Sequence, residues 1–93
     1  MADWTFFSNH AHVLFVISKH EVISAREISL KIGITERFVH KIIQDLEEGS
    51  YITVEKQGRT NYYRVKPKKK LRHPVEAHIK IGTLMDLVNE GQR

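Results

Sequence analysis

Residues 24–49, SAREISLKIGITERFVHKIIQDLEEG, divide at Gly33 into two short amphipathic stretches whose ends are legible. Ser24 followed three residues later by Glu27 has capping-box spacing, in which hydroxyl and carboxylate each satisfy an orphan backbone N–H, so a helix is predicted to open at about Ala25. Ile28 and Ile32 share one face of it, Leu30 flanks them, and Ser29 is small where a second helix would cross. Gly33 ends this helix because a left-handed residue costs little without a Cβ. Thr35, after the apolar Ile34, is the expected N-cap of a second helix running to about Glu48.

Two short helices joined by a glycine turn are the sequence form of a helix-turn-helix. At 100° per residue, Val39, Ile42, Ile43 and Leu46 gather on one stripe of the second helix, while Arg37, Lys41, Gln44 and Glu48 lie opposite with His40 at the edge. One face is therefore core, and the other is open either to solvent or to a partner. Arg, Lys, Gln and His are donors suited to phosphate oxygens and to the major-groove edges of guanine and adenine.

Past Gly49 the period becomes extended. Tyr51 to Val54 and Tyr62 to Val65 are strand formers around a turn-like Gln57-Gly58-Arg59-Thr60-Asn61, which predicts a β-hairpin. Behind a reading helix, such a hairpin is the wing of winged-helix proteins, and Lys56, Arg59 and Asn61 are expected at its tip over the DNA backbone or minor groove. Charge obeys the same division. Residues 1–50 hold five Lys/Arg against seven Asp/Glu, residues 51–73 eight against one, and residues 74–93 two against three, so the positive excess is confined to the hairpin and the basic run directly after it. The densest part, Lys66 to Arg72, is expected to touch phosphates through Lys68, Lys69 and Lys70.

Composition narrows the field. Ninety-three residues, 41% apolar and 28% charged, fit one small domain with a modest core. The absence of cysteine removes disulfides, thiolate metal sites and thiol nucleophiles. The longest near-apolar stretch, Ala11 to Ile17, is far short of the roughly 20 residues of a membrane span, and no export signal is legible, so a cytoplasmic protein without membrane contact is expected. No nucleophile with its base, paired carboxylates or phosphate-cradling glycine loop is present, which argues against an enzyme. No cofactor is implied. His10 and His12 lie two apart and diverge on a helix, and no metal site is expected.

Ser8 is the expected N-cap of a first helix over about Asn9 to Lys19, preceded by Trp4, Phe6 and Phe7. His10, Val13, Leu14 and Ile17 form one face while Phe15 and Val16 point elsewhere, so this helix has to be buried on more than one side. Val22 and Ile23 read as a brief strand beside the hairpin. A last helix is expected to open at His73-Pro74 and run to about Glu90, with Ala77, Ile81, Leu84, Met85 and Val88 in a stripe. Phe15, Val16, Ile81, Leu84, Met85 and Val88 are accordingly expected to pair two copies of the chain, the alternative being a last helix that folds back over the first in a monomer.

These residues carry a resemblance. The element order is similar to that of small winged-helix transcriptional regulators of bacteria and archaea, MarR-like and ArsR-like. Thr5-Phe6-Phe7, Asn9-His10-Ala11-His12-Val13-Leu14, Gly33-Ile34-Thr35-Glu36-Arg37, Asp45-Leu46-Glu47-Glu48, Gly58-Arg59-Thr60-Asn61-Tyr62-Tyr63-Arg64-Val65 and Leu71-Arg72-His73-Pro74-Val75-Glu76-Ala77-His78 resemble a compact subgroup of predicted helix-turn-helix regulators. The resemblance implies a homodimer on double-stranded DNA, with Thr35, Arg37, Phe38, His40, Lys41 and Gln44 toward the groove and Arg59 at the wing tip. It names no effector. The expected architecture is mainly α with a small β-hairpin (α+β), a winged helix-turn-helix over residues 1–66, a basic linker over 67–73 and a C-terminal dimerisation helix over 74–93. The expected function is sequence-specific transcriptional regulation; the other reading of the same residues is a winged-helix protein-interaction or RNA-binding module.

Overall fold

The computed structural model describes residues 3–58 and 60–90, so Arg59, expected at the hairpin tip, lies outside the described residues. Four helices and one antiparallel sheet run in the order α1 (Asn9–Lys19), β1 (Val22–Ile23), α2 (Ala25–Ile32), α3 (Glu36–Glu48), β2 (Ile52–Gln57), β3 (Thr60–Val65) and α4 (Ile81–Asn89). The fold is mixed α and β, with the helices packed on one face of the sheet.

Local signals set the first three helices. The Ser8 hydroxyl accepts from the Ala11 N–H at 3.3 Å and opens α1. At α2 the capping box is complete: the Glu27 N–H donates to Ser24 Oγ at 3.1 Å, and the Ser24 N–H donates to the Glu27 carboxylate at 3.3 Å. Gly33, with φ +85°, closes α2 in the left-handed region, and Thr35 Oγ1 accepts from the Phe38 N–H at 3.1 Å to open α3.

The end of α3 is built one residue later than its glycine suggests. The left-handed residue is Ser50 (φ +66°), the Ser50 N–H donates to the Glu47 carbonyl, and the Tyr51 N–H donates to the Leu46 carbonyl, the bond pair of a Schellman motif. Gly49 serves close packing instead: a Cβ there would lie 3.1 Å from the Tyr51 ring, which would have to give by a few tenths of an ångström. A left-handed L-residue costs roughly 1–2 kcal/mol, partly offset in glycine by its greater unfolded-state entropy. Ser50→Gly is therefore expected to stabilise the fold by about 0.5–1 kcal/mol, read as a raised urea midpoint. A lowered midpoint would mean that the serine side chain compensates the strain.

The sheet order is β1-β3-β2, with Val22 opposite Tyr62 and the hairpin running from Ile52 opposite Val65 to Gln57 opposite Thr60. Period-2 alternation puts Ile52 and Tyr63 into the core while Thr53, Glu55, Tyr62 and Arg64 face outward. Only the base of the hairpin packs on helices. From Glu55 onward β2 stands clear of the core.

Buried side chains come from every helix: Val13, Leu14 and Ile17 of α1, Ile28 of α2, Val39, Ile42, Ile43 and Leu46 of α3, and Ile81 and Met85 of α4. Helix α1 runs through the middle, packed against α2, α3, β3 and α4, and Lys19 is its one exposed residue. Its second apolar side is thus largely covered within the chain, with Phe15 and Val16 half-buried against the core.

The C-terminal third differs most from the sequence expectation. The helix expected from Pro74 begins at Ile81. Residues 73–79 instead form turns, with the Glu76 N–H on the His73 carbonyl and the Ile79 N–H on the Glu76 carbonyl, and the Leu71 N–H reaches the Ile79 carbonyl at 3.0 Å. Lys70 and Lys80 pair as an antiparallel bridge. A helix starting at Pro74 would carry Ile79 away from Leu71, so the long-range pairing overrides the permissive proline. Ile81 and Met85 then turn into the core of their own chain, which removes both from any surface offered to a second copy.

Candidate nucleic-acid interface

Helix α3 splits as its 3.6-residue period requires. Val39, Ile42, Ile43 and Leu46 are buried, whereas Arg37, Phe38, His40, Lys41 and Gln44 are all exposed and form one ridge along a helix about 20 Å long. Phe38 is 39% exposed, an apolar ring left at the edge of a polar ridge. Thr35 is at the start of this ridge, but its hydroxyl oxygen is engaged as the N-cap acceptor, which makes it a helix-positioning residue.

The ridge is not uniformly cationic. Lys41 Nζ lies 2.9 Å from Asp45 Oδ1, one helical turn on, and Asp45 Oδ2 accepts at 2.8 Å from His10 Nε2 on α1. An ionised carboxylate only accepts, so the shared proton belongs to the imidazole nitrogen. The His10 hydrogen bond, then the Lys41 hydrogen bond, hold the Asp45 carboxyl below its ordinary range. The same Asp45 contact, by hydrogen bond and then by charge, holds the Lys41 ammonium above its own. His40 and Glu36 are 3.9 Å apart and both exposed, too loose a pair to matter much.

A carboxyl whose folded value is depressed contributes stability that is complete above the unfolded value and lost as pH falls through the folded one. For the raised Lys41, the contribution is complete below the unfolded value and lost as pH rises through the folded one. Asp45→Asn is accordingly expected to flatten the acid limb of the stability curve, measured by urea midpoints at a series of pH values. An acid limb as steep as in the parent chain would show that the Asp45 contacts contribute nothing.

The hairpin contributes less than its sequence suggests. Lys56 is exposed near the tip, on the strand face that continues the core side. Asn61, also expected at the tip, is half-buried, pairs with Lys56 across the strands, and donates from Nδ2 to the Tyr63 hydroxyl at 3.1 Å. Burial pushes the Tyr63 phenol above its ordinary value, keeping it a neutral partner for that amide. Asn61 is thus a strand residue with its side chain engaged.

Lys68, Lys69 and Lys70 are exposed but stand at the other end of the hairpin. The Lys66 N–H donates to the Tyr51 carbonyl beside the Ile52 and Val65 pair, and six residue pairs, roughly 17–20 Å of strand, separate this base from the tip. The structure therefore brings Arg37, His40, Lys41 and Gln44 together and leaves the lysine run apart from Lys56.

Of the residues expected to join two copies, Phe15, Val16, Leu84 and Val88 are half-buried, while Ile81 and Met85 are core. Trp4 (67%), Phe6 (89%) and Leu87 (64%) remain exposed.

One residue gains a role that its sequence context did not signal. Tyr51 is buried at the Schellman end of α3, its hydroxyl donates to the Lys70 carbonyl at 2.9 Å, and Lys69 Nζ lies 5.6 Å from its ring centroid. It ties the end of α3 to the lysine run. Among the described residues no helix is long and apolar enough to cross a membrane, and no three His, Asp or Glu side chains converge as a metal site would require. No protein-family model, curated protein or solved structure matches the chain.

Proposed function

We propose that this chain is a winged helix-turn-helix protein that binds double-stranded DNA by sequence, as a homodimer, to regulate transcription. The observation that supports this most is the α3 ridge: four polar donors, Arg37, His40, Lys41 and Gln44, exposed in line on a helix whose opposite stripe is fully buried. In this reading α2 and the Gly33–Thr35 turn brace α3, which lies in the major groove, and the β2–β3 hairpin is the wing that brings Lys56 to the adjacent backbone or minor groove. Lys41 exchanges Asp45 for a phosphate oxygen on binding.

The apolar side chains left on the surface fit a twofold pairing through Phe15, Val16, Leu84 and Val88, joined by the exposed Leu87 and the aromatic segment before α1. Two α3 ridges related by such an axis would read half-sites about one helical turn, roughly 10 base pairs, apart.

Selection from random duplex DNA at moderate salt tests the reading. The expected result is an enriched inverted repeat and a solution mass twice the 10.9 kDa of one chain. Failure to enrich any motif would overturn sequence-specific binding and favour the protein-interaction or RNA-binding module.

A further inference from the structure

We infer that residues 66–80 form a second polyanion-binding surface, which grips the phosphates of a DNA segment other than the one beneath α3. The inference rests on the DNA-binding reading for the identity of the polyanion. Its geometry stands independently.

The segment is a built strap. The Lys66 N–H is held by the Tyr51 carbonyl, the Tyr51 hydroxyl by the Lys70 carbonyl, the Ile81 N–H by the Lys69 carbonyl at 2.7 Å, and the Gly82 N–H by the Pro67 carbonyl at 2.9 Å. Gly82 lies so close that a Cβ there would come within 2.8 Å of the Pro67 side chain. Leu71 is tucked against the core. A solvated linker would have none of these anchors.

On this fixed backbone stand Lys66, Lys68, Lys69, Lys70, Arg72 and Lys80, all exposed. Among the described residues, none of the six forms an ion pair. Lys70 and Lys80 are bridge partners, and like charges set directly opposite one another destabilise a strand pair. A scaffold that orders its cations without closing any of them into an ion pair leaves an electrostatic cost that a bound polyanion relieves. In the α3 ridge, by contrast, Lys41 has its own carboxylate.

Two features separate this surface from the ridge. The last turn of α3 carries Asp45, Glu47 and Glu48, of which Glu47 and Glu48 are exposed, so a belt of carboxylates lies between Arg37 and the strap. The hairpin tip is roughly 17–20 Å from the strap's root at Lys66. A duplex following α3 from Arg37 towards its C-terminal end would meet Glu47 and Glu48, which repel its phosphates. Lysines dominate the patch, and an ammonium group that meets a phosphate does so as a point charge, a contact that carries no sequence information. Val75 is the single exposed large apolar side chain of residues 66–80, too little apolar surface to anchor a protein in a lipid surface.

The test is a two-duplex capture with the full chain. A duplex carrying the selected site is immobilised, protein is bound, and retention of a second, fluorescent duplex of unrelated sequence is measured. The parent chain is expected to retain it. Lys68→Gln, Lys69→Gln and Lys70→Gln together, at exposed positions, are expected to leave the footprint on the immobilised site unchanged and the thermal midpoint no lower than that of the parent chain, because they remove the Lys70–Lys80 repulsion. The same triple variant is expected to cut retention by ~10-fold or more and to lower the salt slope of capture by about 2.7, near 0.9 per phosphate contact. Retention equal to that of the parent chain would overturn the inference, because bridging by two α3 ridges survives these replacements. Equal loss of both duplexes would also overturn it, since strap and ridge would then be one surface. Arg37→Ala separates failure of the underlying reading: if it changes nothing while the triple variant abolishes all duplex binding, the ridge is not the reading element and the strap is the sole contact.

Discussion

Ile42→Ala is expected to be the most damaging single truncation on α3, costing about 2–5 kcal/mol through lost burial and the cavity left behind. Ile42 has no exposed surface at all, and its stripe neighbours Val39, Ile43 and Leu46 are buried with it. A domain of this kind holds only about 5–15 kcal/mol in total, so the variant would sit near the edge of folding at 37 °C. Urea denaturation provides the check: a midpoint that falls sharply with an unchanged slope indicates lost stability in the same native state. A shift corresponding to less than about 1 kcal/mol would place Ile42 outside the cooperative core.

Arg37→Ala should behave in the opposite manner, leaving the urea midpoint almost untouched and striking DNA discrimination. Arg37 is exposed in the first turn of α3 and makes no ion pair among the described residues. A bidentate arginine contact to guanine is worth about 1–3 kcal/mol against the wrong base, which converts to about 5- to 150-fold in affinity. The expected result is a loss of that order on the selected duplex and a much smaller loss on a random one, compared at one fixed salt concentration. Equal losses on both would make Arg37 a phosphate contact, and no loss on either would remove it from the interface.

How much of the fold was legible in the sequence depends on the range of the interactions involved. Ser24 with Glu27, Gly33, and Thr35 with Phe38 act within one or two turns, so the limits of α2 and α3 could be read from residue types and spacing. The buried stripe and exposed ridge of α3 were equally accessible, because a helix fixes the direction of each side chain through its period. Asp45 four residues after Lys41 was a readable pair. Its second partner, His10, comes from another helix and left no local trace.

The C-terminal region departs from its local signals for the same reason. Pro74 and the stripe after it satisfy helix rules locally, but Lys70 pairs with Lys80 and Tyr51 holds Lys70, contacts that no window of ten residues contains. These contacts set Lys68 to Lys70 apart from the hairpin tip and turn Ile81 and Met85 into the core of their own chain, neither of which residue spacing signals. Asn61 stands opposite Lys56, one pair from the hairpin end, and differs from expectation only in the engagement of its side chain. Its amide donates to the Tyr63 hydroxyl, a contact two residues along the strand that its residue type does not signal.

The position of β3 between β1 and β2 has a kinetic consequence. The hairpin closes over a tight turn at Gly58, a local event on the microsecond scale, but Val22 and Ile23 must find Tyr62 and Asn61 across the whole of α2 and α3. That late, entropically expensive encounter makes the two-residue edge the natural fraying point of the sheet. Native-state hydrogen exchange should then find the β1–β3 amides opening well before those joining β2 to β3, so that the N-terminal edge unzips while the hairpin persists.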